Sequence, residues 1–310
     1  MRLRQGDEEG HVQKNRGSPG MTANSRPKQV VVTGAFDDLR SRQIRFLEEA
    51  SRLGQVTALL WTDDLVRQLK GRGPKFPEAE RAYLLRAIRF VRQVVMVGKS
   101  NVQSLKSKVD VGVLVAAASK AGVKPDLLVV NEVQDSAASR AECEIRGLDY
   151  RVVREEDLRG FPERPPDLLA PGSGRKRVVV TGCYDWVHSG HVRFFEEVSA
   201  YADLYVIVGH HANIRLLKGP GHPLFSQEER RYVVGSIRYV TKALITSGEG
   251  WLDADPEIRR LQPAIYAVNE DGDKGGKREY CAKLGIEYLV LKRAPAPGLP
   301  QRTSTDLRGF

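Results

Sequence analysis

Short runs of consecutive apolar residues alternate along this chain with segments whose apolar positions recur every three or four residues. Val30-Val31-Val32 and Val178-Val179-Val180 have no polar alternation, the pattern of strands buried on both faces. In the second half, apolar runs predict strands at 177–182, 204–208, 243–246, 264–268 and 286–291, and periodic segments predict helices at 190–201, 226–239, 253–261 and 274–284. Such strand–helix alternation predicts an α/β fold: a parallel, Rossmann-like sheet with helices on both faces. Ligands of such sheets bind beyond the carboxyl ends of the strands, where the strand order reverses.

The pattern occurs twice. Val30-Val31-Val32-Thr33-Gly34 returns as Val178-Val179-Val180-Thr181-Gly182, and Ile44-Arg45-Phe46-Leu47-Glu48-Glu49 as Val192-Arg193-Phe194-Phe195-Glu196-Glu197. Leu69-Lys70-Gly71, Glu80-Arg81 and Ile88-Arg89-Phe90-Val91 return as Leu217-Lys218-Gly219, Glu229-Arg230 and Ile237-Arg238-Tyr239-Val240. Asp157-Leu158-Arg159-Gly160-Phe161 returns as the final five residues. The order is kept, so each repeat is a whole domain of about 135 residues. The expected division is a polar, disordered tail at 1–27, a first domain at 28–161, a proline- and glycine-rich linker at 162–175 and a second domain at 176–310. Met21, just ahead of the first strand, is an alternative start.

Composition narrows the class. The 310 residues are 41% hydrophobic and 28% charged, the balance of a soluble globular protein. No apolar run approaches the ~20 residues of a membrane span, and no signal peptide is visible. Three scattered cysteines, Cys143, Cys183 and Cys281, fit a reducing cytoplasm. A net charge of +10 suits an anionic ligand. The basic residues are spread along the chain with no basic arm, so nucleic acid is not the expected partner.

The candidate chemistry follows the first strand of the second repeat, in Thr181-Gly182-Cys183-Tyr184-Asp185-Trp186-Val187-His188-Ser189-Gly190-His191. His188 and His191 are three residues apart at a helix start and share one face. The helix N-terminus offers unpaired N–H groups to an anion, and Gly190 leaves the backbone open. The arrangement suits a polyphosphate. A zinc site would need three or four protein ligands, and no further ligand stands at a suitable spacing, so no metal ligands are assigned. No Gly-x-Gly-x-x-Gly turn follows the first strand, which excludes a dinucleotide-binding dehydrogenase.

These residues resemble the HxGH signature of the cytidylyltransferase-like nucleotidyltransferases. Three further stretches carry the resemblance in order: Leu217-Lys218-Gly219 with Phe225-Ser226-Gln227-Glu228-Glu229-Arg230, then Asn269-Glu270-Asp271-Gly272-Asp273, then Arg302-Thr303-Ser304-Thr305-Asp306-Leu307. The tandem layout resembles the phosphoethanolamine cytidylyltransferases, and glycerol-phosphate cytidylyltransferases and heptose-phosphate adenylyltransferases share much of the pattern. The resemblance implies that a phosphomonoester attacks the α-phosphorus of a nucleoside triphosphate and releases pyrophosphate, with Mg2+ as cofactor. CTP is the expected donor and ATP the alternative; a non-catalytic nucleotide-binding regulator is a reading of another class. Class I aminoacyl-tRNA synthetases share a similar turn, but their anticodon-binding domain and lysine-rich signature are not visible here.

By the same resemblance His188, His191 and Lys218 are catalytic. Thr181, Gly182, Cys183, Tyr184, Asp185, Gly190, Arg230, Asn269, Thr303, Ser304 and Thr305 bind the nucleotide. Asp185 either touches ligand or orients its turn, and Arg230 either serves the nucleotide or makes helix-face ion pairs. Where relatives carry an acidic residue after the second strand, as in Thr62-Asp63-Asp64, the second repeat has His210-His211. His210, His211 and one or both of Arg293 and Arg302 are therefore expected at the acceptor. In the first repeat Arg40, Arg42 and Gln43 replace His188, Gly190 and His191, and Glu155 and Glu156 replace Ser304 and Thr305. A non-catalytic first domain packed on the second is expected; a homodimer stays open.

Overall fold

The computed structural model describes residues 26–98, 110–163, 174–303 and 307. Ser304, Thr305, the proposed tail before Arg26 and most of the proposed linker lie outside them.

Two parallel five-stranded sheets form the molecule. The first contains β1 (Gln29–Gly34), β2 (Gln55–Trp61), β3 (Val91–Val97), β4 (Leu127–Asn131) and β5 (Asp149–Val153), in the order β3-β2-β1-β4-β5. The second contains β6 (Arg177–Gly182), β7 (Asp203–Val208), β8 (Val240–Ile245), β9 (Ile265–Asn269) and β10 (Glu287–Leu291), in the equivalent order β10-β9-β6-β7-β8. Helices α1 (Ser41–Arg52), α2 (Asp63–Lys70), α3 (Glu78–Ala87), α4 (Val111–Lys120) and α5 (Ala137–Ile145) connect the first set. Helices α6 (Ser189–Ser199), α7 (His211–Lys218), α8 (Gln227–Gly235), α9 (Asp255–Leu261) and α10 (Lys277–Leu284) connect the second. Val178, Val179 and Val180 are completely buried, as a strand covered on both faces requires. The strand order reverses between β6 and β9, which opens a crevice where β6 ends.

Most predicted elements are present. The predicted helix at 226–239 stops at Gly235, and the strand expected from 243 begins at Val240. The cause is tertiary: Arg238 N donates to Ala87 O at 2.8 Å and Ile237 bridges Ile88, so this segment pairs with the other domain. Helix α7, absent from the predicted helices, is only eight residues long. Helix α8 starts on a Ser-x-x-Glu box, in which Ser226 Oγ accepts from Glu229 N at 3.1 Å.

The domains pack as a pseudo-twofold pair through α1 and α3 of the first and α6 and α8 of the second. Tyr83 Oη donates to Glu196 at 2.9 Å, and its counterpart Tyr232 donates to Glu48 at 2.7 Å. Ser189 Oγ donates to Glu80 at 2.7 Å, and Ser41 Oγ to Glu229 at 2.5 Å. Ala87 lies in the apolar core of the second domain and Tyr232 in that of the first, so the two cores share side chains.

Candidate active site

The turn after β6 is held in one shape by its own residues. Tyr184 has φ +51°, a left-handed conformation that is costly for an aromatic residue, and its counterpart Phe36 has φ +45°. Asp185 accepts from Leu224 N at 2.8 Å and Phe225 N at 3.0 Å, as Asp37 does from Lys75 N and Phe76 N. Asp185 thus orients the turn. Arg230, 1% exposed, donates to the carbonyls of Cys183, Gly209 and Phe225 and ties three loops together. Arg81 grips Ala35, Trp61 and Phe76 in the same way. One difference separates them. Arg81 Nη2 reaches Asp63 at 2.6 Å, whereas Arg230 Nη2 has no hydrogen-bond partner among the described residues, because His211 stands at the Asp63 position.

His188 caps the start of helix α6, and its Nδ1 accepts from Gly190 N at 3.1 Å. That bond puts the ring proton on Nε2. The His188 and His191 rings stack with centroids 4.0 Å apart, and Tyr184 meets His191 edge-on at 5.3 Å. Burial, His188 and then Arg293 hold His191 well below the usual histidine range, so the imidazole is neutral near pH 7. At Gly190, a Cβ would stand 3.0 Å from His188 Cε1 and 3.6 Å from Arg302 O. Only glycine leaves the stacked pair undisturbed.

A cleft of about 290 Å³ opens over this turn. Thr181, Gly182, Cys183, Tyr184, Asp185, His188, Gly190, His191, Lys218, Asn269 and Arg293 all line it. Lys218 is exposed at the end of α7, where Gly219, at φ +82°, closes the helix. Thr181 Oγ1 bonds Tyr266 Oη at 2.6 Å, and the Cys183 thiol is raised by burial. Arg293 ion-pairs with Asp271 and donates through Nη2 to Arg302 O at 2.9 Å, so it joins the cleft to the terminal segment. Thr303 is half-buried and follows directly.

His210, His211, Arg230 and Arg302 are not among the lining residues. His210 caps α7: its Nδ1 accepts from Asn213 N at 3.3 Å, and Nε2 meets Gly248 O at 2.9 Å. Both ring nitrogens are thereby used within the fold. His211 is exposed beside it. Arg302 is drawn away from the cleft onto Glu80 of the first domain, with contacts of 2.9 to 3.3 Å.

His222 and Lys277 also line the cleft and were not singled out in the sequence. Lys277 donates to Gly272 O at 2.8 Å, and burial lowers its pKa. A lysine opening a helix carries no local signal; its place in the cleft depends on how α10 meets β9.

The equivalent cleft of the first domain is built differently. Gln134 Nε2 donates to Thr33 O at 2.8 Å, and Trp61 Nε1 to Thr33 Oγ1 at 2.8 Å. Arg42 ion-pairs with Glu155, and Arg40 pairs with Asp38 and lies 4.0 Å above the Trp186 ring of the second domain.

The cytidylyltransferase-like family model matches residues 179–303, the stretch that contains the whole cleft. The chain is 35% identical over 120 residues to an FAD synthase of Ferroglobus placidus, a match that covers 38% of this chain and 75% of that protein. It is 41% identical over 105 residues to an FAD synthase of Pyrococcus horikoshii, covering 33% of this chain and 68% of that one. Over 120 residues it is 32% identical to the bifunctional protein HldE of Aliarcobacter butzleri, and there it spans only 24% of the relative's length. The chain belongs to the cytidylyltransferase-like family and is a nucleotidyltransferase by that membership.

Proposed function

We propose that the second domain transfers a nucleotidyl group from a nucleoside triphosphate to a small phosphomonoester. The observation that carries this reading is the stacked His188–His191 pair at the head of α6, in a cleft that also holds Lys218 and Arg293. An acceptor phosphate oxygen forms a bond to the α-phosphorus. The bond from that phosphorus to the bridging oxygen breaks, and pyrophosphate leaves with that oxygen. A phosphomonoester with a second pKa of about 6 is already ionised at neutral pH, so the site needs no general base. Its task is alignment and neutralisation of growing charge. His188 donates through Nε2–H. His191, neutral in the free cleft, donates without prior protonation, and Lys218 adds a point charge between the reactants.

Magnesium enters with the triphosphate. Such an ion would be held mainly by phosphate oxygens and water. Bound there, it would screen the leaving pyrophosphate.

The donor we favour is ATP. FAD contains an adenosine phosphate, so relatives named FAD synthase support adenylyl transfer. CTP, which the resemblance to cytidylyltransferases implies, is the alternative. The first domain we read as non-catalytic, since its arginines are neutralised by Asp38 and Glu155. The test is to incubate the chain with ATP or CTP, magnesium and a panel of phosphomonoesters and measure pyrophosphate. Release with ATP and one acceptor class supports the reading; release with CTP alone reverses the donor, and none with any pair overturns it.

A further inference from the structure

Glu80 is 0% exposed, yet it belongs to the non-catalytic domain and points at the other domain's histidine turn. One carboxylate oxygen accepts from Ser189 Oγ at 2.7 Å, and Ser189 lies between the two histidines. The same carboxylate holds the Arg302 guanidinium, whose Nη2 is 2.9 Å from Oε2. Arg302 in turn places its carbonyl against Gly190 and accepts there from Arg293, a lining residue of the cleft. Thr303 follows, within the terminal motif. One buried carboxylate therefore ties together the head of α6 and the Arg302–Thr303 segment.

The pseudo-twofold mate shows that this is more than packing. Glu229 accepts from Ser41 at 2.5 Å in the same way, but among the described residues no arginine ion-pairs with it; Val153 ends β5 opposite Asn131 as Leu291 ends β10 opposite Asn269, and Arg302 lies on the longer segment beyond. Among the described residues, the additional arginine is present on the side that faces the histidines and not on the other.

We propose that Glu80 is a positioning residue of the second domain's active site, so that the first domain completes that site instead of merely supporting it. This rests on the nucleotidyltransferase reading. Glu80 touches no reacting atom; it fixes the spacing between the His188–His191 turn and the Arg302–Thr303 segment. A misplacement of about 1 Å at such a site costs on the order of 10²-fold in rate.

The experiment compares the full chain with Glu80→Gln, Ser189→Ala and the pseudo-symmetric Ser41→Ala, by two readouts. The first is the imidazole nitrogen resonances of His188 and His191, which do not depend on turnover. Glu80→Gln and Ser189→Ala are expected to shift both, while Ser41→Ala leaves them at the wild-type positions. The second is pyrophosphate release, where Glu80→Gln is expected to lower kcat by about 10-fold or more, against little change for Ser41→Ala. Unchanged imidazole resonances in Glu80→Gln overturn the proposal, and so do equal kinetic losses in Glu80→Gln and Ser41→Ala, which would mark a general interface effect. If the wild-type chain releases no pyrophosphate, the functional reading fails and the resonances alone decide the role of Glu80.

Discussion

Arg89 and Arg238 exchange places across the domain boundary. Arg89 Nη2 donates to the carbonyls of Ile237 and Val240, and Arg238 Nη2 donates to those of Ile88 and Val91. Each guanidinium satisfies main-chain oxygens exposed where the partner domain's helix ends and its third strand begins. This reciprocity is that of an isologous dimer interface, built here within one chain. It sets the α3 helix of the first domain against the histidine turn of the second.

Replacing His188 or His191 by alanine is expected to lower turnover by roughly 10²–10³, the loss typical of one transition-state donor. The fold should survive, and far-ultraviolet circular dichroism should match the wild type. Near-normal pyrophosphate release from either variant would remove that histidine from the chemistry.

Arg230→Ala should destabilise the chain instead. One buried and two part-buried carbonyls lose their donor, and an unsatisfied buried group costs about 1–3 kcal/mol. Denaturant unfolding should show a loss of about 1–3 kcal/mol. A variant as stable as the wild type, but weak in nucleotide binding, would give Arg230 to the ligand.

His191 makes stability depend on pH. Its folded pKa lies below the unfolded value of about 6.5, so in acid the unfolded chain takes up a proton that the folded chain refuses. Stability from this residue is intact above pH 6.5 and is lost as pH falls toward the depressed value. His191→Gln should flatten the unfolding free energy between pH 6.5 and 5 relative to the wild type. Parallel pH profiles for the two proteins would contradict the depressed pKa.

His210 and His211 should separate. His210→Ala removes the cap of α7 and should cost about 1 kcal/mol of stability. His211→Ala should leave stability alone and, if this helix start borders the acceptor, raise the acceptor KM more than that of the nucleotide. Equal stabilities for the two variants would contradict the capping role.

Calorimetric titration of the full chain should give one nucleoside triphosphate per chain. Arg42 fills the place of Gly190 and is paired with Glu155, and Gln134 and Trp61 both bind Thr33 in the first cleft. A stoichiometry of two would overturn the non-catalytic reading of that domain.

The sequence alone determined what is written locally. Valine runs bounded by Thr-Gly specify buried strands, and the His-Ser-Gly-His turn puts two imidazoles on one helix start, because these follow from side-chain period and the lack of a Cβ. Repetition in order specified two like domains. The tertiary structure decided which polar residues are used up by the fold. Asp185, Arg230 and His210 have the residue types of a binding site, yet their polar atoms hold main-chain groups 3 to 47 positions away in sequence. Glu80 is the opposite case: an ordinary helix glutamate in the sequence, it meets Ser189 and Arg302 only because the pseudo-twofold packing brings them together from 109 and 222 positions away. Periodicity and spacing reach across a turn or two of chain, whereas a buried charge is satisfied by whichever partner the packing of whole domains supplies.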